Sequence, residues 1–448
     1  MTSTRGTLSS GPADRPGGGP PEFRWLTSGV PGIGGVIKQR PEDFLVEEIP
    51  LYQPAGEGEH LYLFVEKKGI STFAMAAILA RHFGVPSGSI GYAGLKDAHA
   101  VTRQTVSVHV PGRQPEDFPS LRDERLSILW TDLHVNKLRR GHLTGNRFSI
   151  KVRAVDPTAV VAANRILSEL ARRGVPNRFG AQRFGRLGNN HVVGRGLVRG
   201  RWRDVIEALV GPHPNPTAAA AESYALYAQG RYADARDRLP LALRTERLLL
   251  DALARGADEE QAVGAIPRDA KRFYLAALQS RVFNRVLDAR IESRAIGDLV
   301  VGDLAWKHDS RAVFPVTHDA FGSPQLRERL DSFEISPSGP IWGPGMTVAA
   351  GATAEIESRM LEAEEITFDD LARFSRGRGM RFDGERRPLR VPVSHTEIEG
   401  GVDEHGGYVR CAFDLPRGAF ATEVMREVMK PTAESERIAD DSGDDDDV

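Results

Sequence analysis

Apolar and polar residues alternate with two different periods along the chain, which predicts a mixed α/β or α+β fold. Period-two alternation or short apolar runs predict strands at 61–67, 105–110, 147–155, 299–306, 389–393 and 408–416. In the stretch RFSIKVRAV (147–155), Phe148, Ile150 and Val152 fall on one side and the basic residues on the other. We therefore expect this strand to bury one face and to present a basic one.

Helical spacing with start and stop signals predicts the intervening elements. Ser71 caps a helix that stops at Gly84, and Asp156 caps a second helix, with Pro157 at its first position and Gly174 past its end. Long helical patterns fill 202–296, including a helical hairpin at 221–239, and a last helix follows at 418–430. Strands thus flank a long, predominantly helical central region.

Changes of texture predict the domain boundaries. The predicted order is a disordered leader (1–24), a first catalytic part (25–173), an insert (174–386), a C-terminal catalytic part (387–432) and an acidic disordered tail (433–448). The leader and the tail are assigned from their Gly/Pro-rich and acidic compositions. The insert begins where a Gly-, Asn- and Arg-rich stretch follows Gly174.

Composition excludes several classes of chemistry. Cys411 is the single cysteine, and there is no GxxxxGK[ST], GxGxxG, HExxH, paired CxxC or GxSxG motif. The absence of these motifs leads us to expect no cofactor and no metal. No apolar run reaches 18 residues, and 40% of residues are hydrophobic, so we expect a cytoplasmic protein with no membrane contact. We take a monomer as the default oligomeric state.

Positive charge is concentrated in one segment although the net charge is −2. Residues 137–204 contain 16 Lys+Arg and 3 Asp+Glu, a local +13, and 14 of the 16 are arginine. Arginine side chains can make two parallel hydrogen bonds to a phosphate, so the segment predicts a surface that binds nucleic acid, here called a nucleic-acid footprint. The alternative is a solvated surface rich in arginine.

The stretch GYAGLKDAHAVTRQ (91–104) contains the aspartate that most suggests chemistry, Asp97. Taken alone, Asp97 is most simply a turn or N-cap residue. Together with five other segments, however, it resembles the TruD family of tRNA pseudouridine synthases. Those segments, in family order, are IKQRPEDFLVEE (37–48), GEGEHLYLFVEKKG (56–69), GHLTGNRF (141–148), GVPNRFGAQRFG (174–185) and LPRGAFATEVMRE (415–427).

The resemblance implies a pseudouridine synthase fold, with a mixed sheet interrupted by an inserted α/β TRUD domain. It further implies the isomerisation of uridine 13 of tRNA to pseudouridine without a cofactor. The site residues that it implies are Asp97 and Lys38 as catalytic groups and Phe44, Asn146, Phe148 and Phe420 as substrate contacts. Two positions depart from the family pattern, which often has a basic residue at Ala98 and an aromatic one at Thr105.

These residue types suit the reaction, since an ionised carboxylate acts as nucleophile or base and a nearby cation favours its charged form. We expect the aromatic rings to stack on a flipped uracil and the amide of Asn146 to meet its polar edge. Phe44 and Phe148 are equally reasonable as core residues, and Asn146 as a turn residue. Asn177, Arg178, Gln182 and Arg183 either contact RNA or brace the start of the insert.

Two other functions remain open from the sequence. One is a non-catalytic RNA-binding module that uses the same cleft, and the other is a hydrolase with an aspartate nucleophile. The hydrolase leaves the arginine-rich segment unexplained.

Overall fold

The computed structural model describes residues 24–213, 216, 218–377 and 383–431. The acidic tail and all but the last residue of the predicted leader lie outside the described residues. Among the described residues, no helix is long and apolar enough to cross a membrane.

The strands, in chain order, are β1 (Phe44–Pro50), β2 (His60–Lys68), β3 (Ile90–Tyr92), β4 (Val101–His109), β5 (Leu126–His134), β6 (Leu143–Arg153), β7 (Val175–Pro176), β8 (Leu304–Lys307), β9 (Val313–Pro315), β10 (Ile335–Ile341), β11 (Glu385–Pro388), β12 (Arg390–Val391), β13 (Ser394–Asp403) and β14 (Gly406–Pro416).

The α-helices, in chain order, are α1 (Thr72–Phe83), α2 (Val160–Arg173), α3 (Asn190–Arg199), α4 (Trp202–Val210), α5 (Ala218–Ala228), α6 (Tyr232–Arg238), α7 (Arg244–Ala254), α8 (Glu259–Gly264), α9 (Arg268–Glu292), α10 (Pro324–Asp331), α11 (Gly351–Glu362), α12 (Phe368–Gly377) and α13 (Ala421–Met429).

The chain divides into two compact units. Trp25–Asn177 and the described residues from Arg390 onward form one unit, and Arg24 with the described residues of 178–389 forms the other. We call them the sheet unit and the insert unit. The predicted insert, 174–386, begins four residues before and ends three residues before the insert unit.

The sheet unit is built on a mixed eight-stranded sheet in the order β13-β14-β6-β1-β4-β2-β5, with β3 also paired to β4. β1 and β4 pair in parallel and the other pairs are antiparallel. The predicted mixed sheet is therefore confirmed. Buried apolar residues of β2 and β4 pack with Met75 and Leu79 of α1, while α2 packs against β13 and α13.

Local signals place the helix ends as the sequence predicts. The Ser71 side chain accepts a hydrogen bond from the Ala74 N–H, and Gly84 ends α1 in the left-handed region at φ 68°. Asp156 accepts from the Thr158 N–H at the start of a 3₁₀ turn that leads into α2. A short polar cap and a glycine are thus enough to fix these boundaries.

Three predicted strands are misplaced, and of the one predicted at 389–393 only Arg390–Val391 forms a strand. β4 begins at Val101 rather than at residue 105, because Thr102 and Gln104 are buried despite being polar and pair with β2. Only Leu304–Trp306 of the strand predicted at 299–306 is extended. The preceding residues form a turn, because the Asp303 carboxylate accepts from the Val300 N–H and the Val300 carbonyl accepts from the Asp303 N–H.

The basic face predicted for 147–155 exists, and its basic side chains pair with carboxylates. Arg147 pairs with Asp414 at 2.9 Å, and Lys151 pairs with Asp403 at 2.9 Å. Arg153 is 2% exposed, and its guanidinium lies 2.6 Å from carboxylate oxygens of both Asp43 and Asp403. The basic residues of this strand thus lie on one face, as predicted, but all three are paired with carboxylates and Arg153 is buried.

The insert unit contains the predicted helical hairpin, as α5 and α6, and a four-stranded sheet in the order β11-β10-β8-β9. Apolar residues of α3, α4, α7 and α9 share one core. At the start of this unit, Arg178 pairs with Asp288, and the Phe179 N–H donates to Asn284 of α9 at 3.0 Å. Arg178 thus braces the beginning of the insert.

Candidate active site

Asp97 lies in the loop between β3 and β4, and buried groups fix its backbone. The Lys67 ammonium, at the end of a fully buried side chain, donates to the carbonyl oxygens of Asp97 at 2.7 Å and Ile70 at 2.6 Å. The next N–H back along the loop, that of Lys96, donates to the Thr72 hydroxyl at 2.9 Å. The loop is therefore tied to both β2 and the first turn of α1.

The Asp97 side chain itself remains open to solvent. It is 48% exposed, and one carboxylate oxygen lies 3.7 Å from the Lys38 ammonium. The Lys38 carbonyl lies 2.9 Å from the imidazole Nε2 of His99, two residues beyond Asp97. A held backbone with an accessible carboxylate beside a cation is the arrangement that a nucleophile or base requires.

Lys38 holds this position with a left-handed backbone, at φ 58°. A lysine in this region costs on the order of 1 kcal/mol or more, and such strain is concentrated at functional sites. Its ammonium also lies 4.8 Å from the ring centroid of Phe44. The contact of the Lys38 carbonyl with His99, and those of its ammonium with Asp97 and Phe44, therefore hold a backbone conformation that a lysine would otherwise avoid.

Phe44 lies next to the Lys38 ammonium, and Phe148 packs against Phe44. Their rings meet edge to face at 6.4 Å, and Phe148 contacts Phe413 at 5.7 Å. Phe44 is 1% exposed and Phe148 7% exposed, so neither ring presents a free face. The sequence suggested a stacking face for Phe44, but the structure shows its ring beneath Lys38.

Asn146 lies on the same side of the sheet as these rings. It is paired with Glu48 of β1, while Phe148 is paired with Val46. The amide oxygen of Asn146 is buried and has no hydrogen-bond partner among the described residues. A buried acceptor without a donor is costly in a folded protein and marks a place where a ligand donor would fit.

Phe420 is the exposed aromatic ring among the predicted site residues. It occupies the N-cap position of α13 and is 48% exposed. The preceding strand, β14, pairs its Leu415 with Asn146. The elements that carry Asn146 and Phe420 are thus neighbours.

Several positioning residues escaped the sequence analysis. Glu48 is buried, and its carboxylate accepts from Lys96 at 2.9 Å and from the Thr105 N–H at 3.3 Å. This bond directs Lys96 away from Asp97, as its neighbouring position on an extended segment predicts. Lys67 and Glu48 carry no local signal for this role, because the residues of the Asp97 loop that they bind, Asp97 and Lys96, lie 30 and 48 residues away.

Metal and thiol chemistry have no visible site in the described part of the chain. It contains no group of three or more His, Cys, Asp and Glu residues arranged to hold a metal ion. Burial raises the pKa of the Cys411 thiol to about 12, so the thiol stays protonated at neutral pH.

Comparison with known proteins identifies the class. The family model described as tRNA pseudouridine synthase D (TruD) matches residues 22–428. A crystal structure titled as the putative tRNA pseudouridine synthase D (TruD) from Methanosarcina mazei superposes with a TM-score of 0.80 at 26% identity, covering 91% of this chain and 95% of that one. The fold is thus that of a pseudouridine synthase.

Curated relatives narrow this class further. A protein named tRNA pseudouridine synthase D from Geobacter sulfurreducens is 45% identical over 414 residues, which cover 91% of this chain and 97% of that protein. A protein of the same name from Anaeromyxobacter dehalogenans is 38% identical over 421 residues, or 94% of this chain and 99% of that protein. The chain belongs to the TruD family of tRNA pseudouridine synthases and is accordingly an isomerase.

Proposed function

We propose that this protein isomerises uridine at position 13 of tRNA to pseudouridine, with Asp97 as the catalytic carboxylate. The observation that carries the proposal is the half-exposed Asp97 carboxylate, 3.7 Å from Lys38, on a loop whose backbone is fixed by Lys67. Membership of the TruD family, and the name shared by the relatives, support tRNA as the substrate.

The reaction rearranges atoms within one nucleoside. The N1–C1′ bond breaks, the freed uracil turns over, and C5 bonds to C1′ while N1 gains a proton and C5 loses one. Nothing is oxidised or reduced and no group leaves, so the residues of the site suffice in principle. Asp97 acts as its ionised form, as nucleophile or as base, and Lys38 stabilises that charge.

The remaining site residues receive the base. A uridine in a folded tRNA is stacked, so it must be flipped out to reach Asp97. The exposed ring of Phe420 offers a stacking face, worth about 1–3 kcal/mol per base. The unpaired amide oxygen of Asn146 accepts from the N3–H of uracil. Phe44, backed by Phe148, provides an apolar surface next to Lys38.

The test is release of tritium from tRNA labelled at uridine C5, because forming the new bond expels that hydrogen. Asp97→Asn preserves the size and hydrogen-bonding capacity of the side chain but removes its charge. We expect this variant to bind tRNA and to release no label, while the control Glu116→Gln, an exposed carboxylate on the β4–β5 connection, stays active. In a tRNA with cytidine in place of uridine 13, the tritium release that comes from position 13 should disappear.

Opposite results would reject specific parts of the proposal. If the wild-type protein releases no tritium from any tRNA with a uridine at position 13, the activity is wrong and a non-catalytic RNA-binding module becomes the better explanation. If Asp97→Asn releases tritium as fast as the wild type, Asp97 is not the catalytic group.

A further inference from the structure

A patch of apolar and cationic side chains, three of them exposed and one half-buried, lies beside the Asp97 loop. We call it the rim patch, and it consists of Phe73, Tyr92, Leu95 and Arg140. Phe73 is the second residue of α1 and is 54% exposed, and Leu95, two residues before Asp97, is 55% exposed. The residues of the site described above do not include any of the four.

Two side chains of the rim patch, those of Phe73 and Arg140, contact the ring of Tyr92. Phe73 meets this ring edge to face, with centroids 6.4 Å apart and an interplanar angle of 89°. The guanidinium carbon of Arg140 lies 5.7 Å from the centroid of the Tyr92 ring, and Arg140 also donates to the Tyr92 hydroxyl at 3.3 Å. With this contact made, Phe73 remains 54% exposed.

Hydrogen bonds hold the rim patch in a fixed place relative to Asp97. Thr72, directly before Phe73, accepts from the N–H of Lys96, directly before Asp97. Gly141, directly after Arg140, donates its N–H to the carbonyl of Ala93 at 2.8 Å. Both ends of the patch are therefore tied to the catalytic loop.

This combination of groups fits RNA better than a protein partner. An exposed aromatic ring with a neighbouring arginine is the usual platform for an unstacked base and its phosphate. Arg139 and Arg417 are also exposed here, and Arg417 donates to the carbonyl of Gly141 at 2.6 Å. A protein-binding patch would be expected to have a larger continuous apolar surface.

We propose that Phe73 stacks on a nucleotide that adjoins the target uridine, with Arg140 contacting its phosphate. This inference rests on the proposed function, in which the RNA substrate delivers a flipped uridine to Asp97. Extruding that uridine leaves a neighbouring base without its stacking partner, and the Phe73 ring replaces the lost contact. Phe73 is thus a positioning residue for the RNA and does not touch the reacting atoms.

The test measures tRNA binding in the Asp97→Asn background, so that catalysis does not enter. Phe73→Leu keeps an apolar side chain but removes the π face, whereas Phe73→Tyr keeps the ring and serves as the matched control. We expect Phe73→Leu to raise the Kd for tRNA about 5- to 150-fold, the range that corresponds to loss of one stacked base. Phe73→Tyr should change the Kd by less than about twofold.

A second readout identifies the stacked nucleotide. With 2-aminopurine at the position before or after the target, stacking on Phe73 should quench the fluorescence on binding, and Phe73→Leu should relieve the quenching at one of the two positions. Equal Kd values for Phe73→Leu and the parent, or equal weakening by Leu and Tyr, would overturn the inference. So would quenching that is unchanged by Phe73→Leu at both positions.

Thermal unfolding of each variant distinguishes the loss of an RNA contact from destabilisation of the protein. An unchanged Tm is expected, because the Phe73 side chain is half exposed. The two proposals also fail separately. If the wild-type protein releases no tritium, the pseudouridine synthase activity is rejected. If Phe73→Leu leaves the Kd for tRNA unaltered, only the stacking role of Phe73 is rejected.

Discussion

Lys38 shows how much of the site depends on a single residue. Its left-handed backbone, its carbonyl beside His99 and its ammonium between Asp97 and Phe44 are three separate constraints. Sequence resemblance predicted Lys38 as a site residue, but its backbone conformation could not be predicted. Glycine and asparagine are residue types whose presence in a sequence can indicate a positive φ, whereas lysine gives no such indication.

Replacing Lys38 with methionine keeps the length and the contact with the Phe44 ring but removes the charge. We expect tritium release to slow by about 10²-fold, the usual effect of removing one preorganised electrostatic group. Lys68→Met is the matched control, since Lys68 is 53% exposed and pairs with Glu42. Its rate should stay within about twofold of the wild type, and a Lys38→Met enzyme as fast as this control would exclude a catalytic role for the ammonium.

At the scale of an element, β6 shows which part of a pattern the sequence can predict. The alternation along β6 predicted its buried face correctly, since Phe148, Ile150 and Val152 are all buried. It could not reveal the carboxylates on the other face. The partners of Arg153 and Arg147 are 110, 250 and 267 residues away, at Asp43, Asp403 and Asp414. Periodicity reports burial, whereas ion pairing depends on tertiary structure.

The Arg153 pairs fasten β6 to the start of β1 and to the β13–β14 hairpin. Arg153→Met would leave the Asp43 carboxylate, whose side chain is 1% exposed, charged and without this partner. We expect the free energy of unfolding to fall by about 3–5 kcal/mol, as for other buried pairs broken at one end. Arg172→Met, at an arginine that is 70% exposed and paired with Glu169, should have little effect.

This difference should also depend on pH. Hydrogen bonds from Arg153 and then Lys151 lower the pKa of Asp403 to about 2, compared with roughly 3.9 in an unfolded chain. The stabilisation from Asp403 is therefore complete above about pH 4 and is lost as the pH falls through about 2. Urea unfolding between pH 2 and 5 should show the gap between wild type and Arg153→Met narrowing at the acid end. A gap that is constant with pH would remove Asp403 from this account.

At the scale of the whole molecule, the structure changes the meaning of the arginine-rich segment. Its local charge of +13 predicted a nucleic-acid footprint. At least ten of its basic residues, however, pair with carboxylates, namely Arg147, Lys151, Arg153, Arg172, Arg173, Arg178, Arg195, Arg199, Arg201 and Arg203. Much of the segment's charge is therefore neutralised within the fold. Exposed arginines near the Asp97 loop, such as Arg139 and Arg417, become the better candidates for phosphate contacts.

The salt dependence of tRNA binding distinguishes these two groups of arginines. A contact with phosphate releases counterions, so each such arginine adds about 0.7–0.9 to the slope of log K against log salt concentration. We expect Arg139→Gln and Arg417→Gln each to reduce the magnitude of this negative slope by about that amount. Arg172→Gln, at an arginine that is also exposed to solvent but paired with Glu169, should leave it unchanged. If Arg172→Gln lowered the slope as much as Arg139→Gln, internal ion pairing would not decide which arginines bind RNA, and the whole arginine-rich segment would regain its role as the footprint.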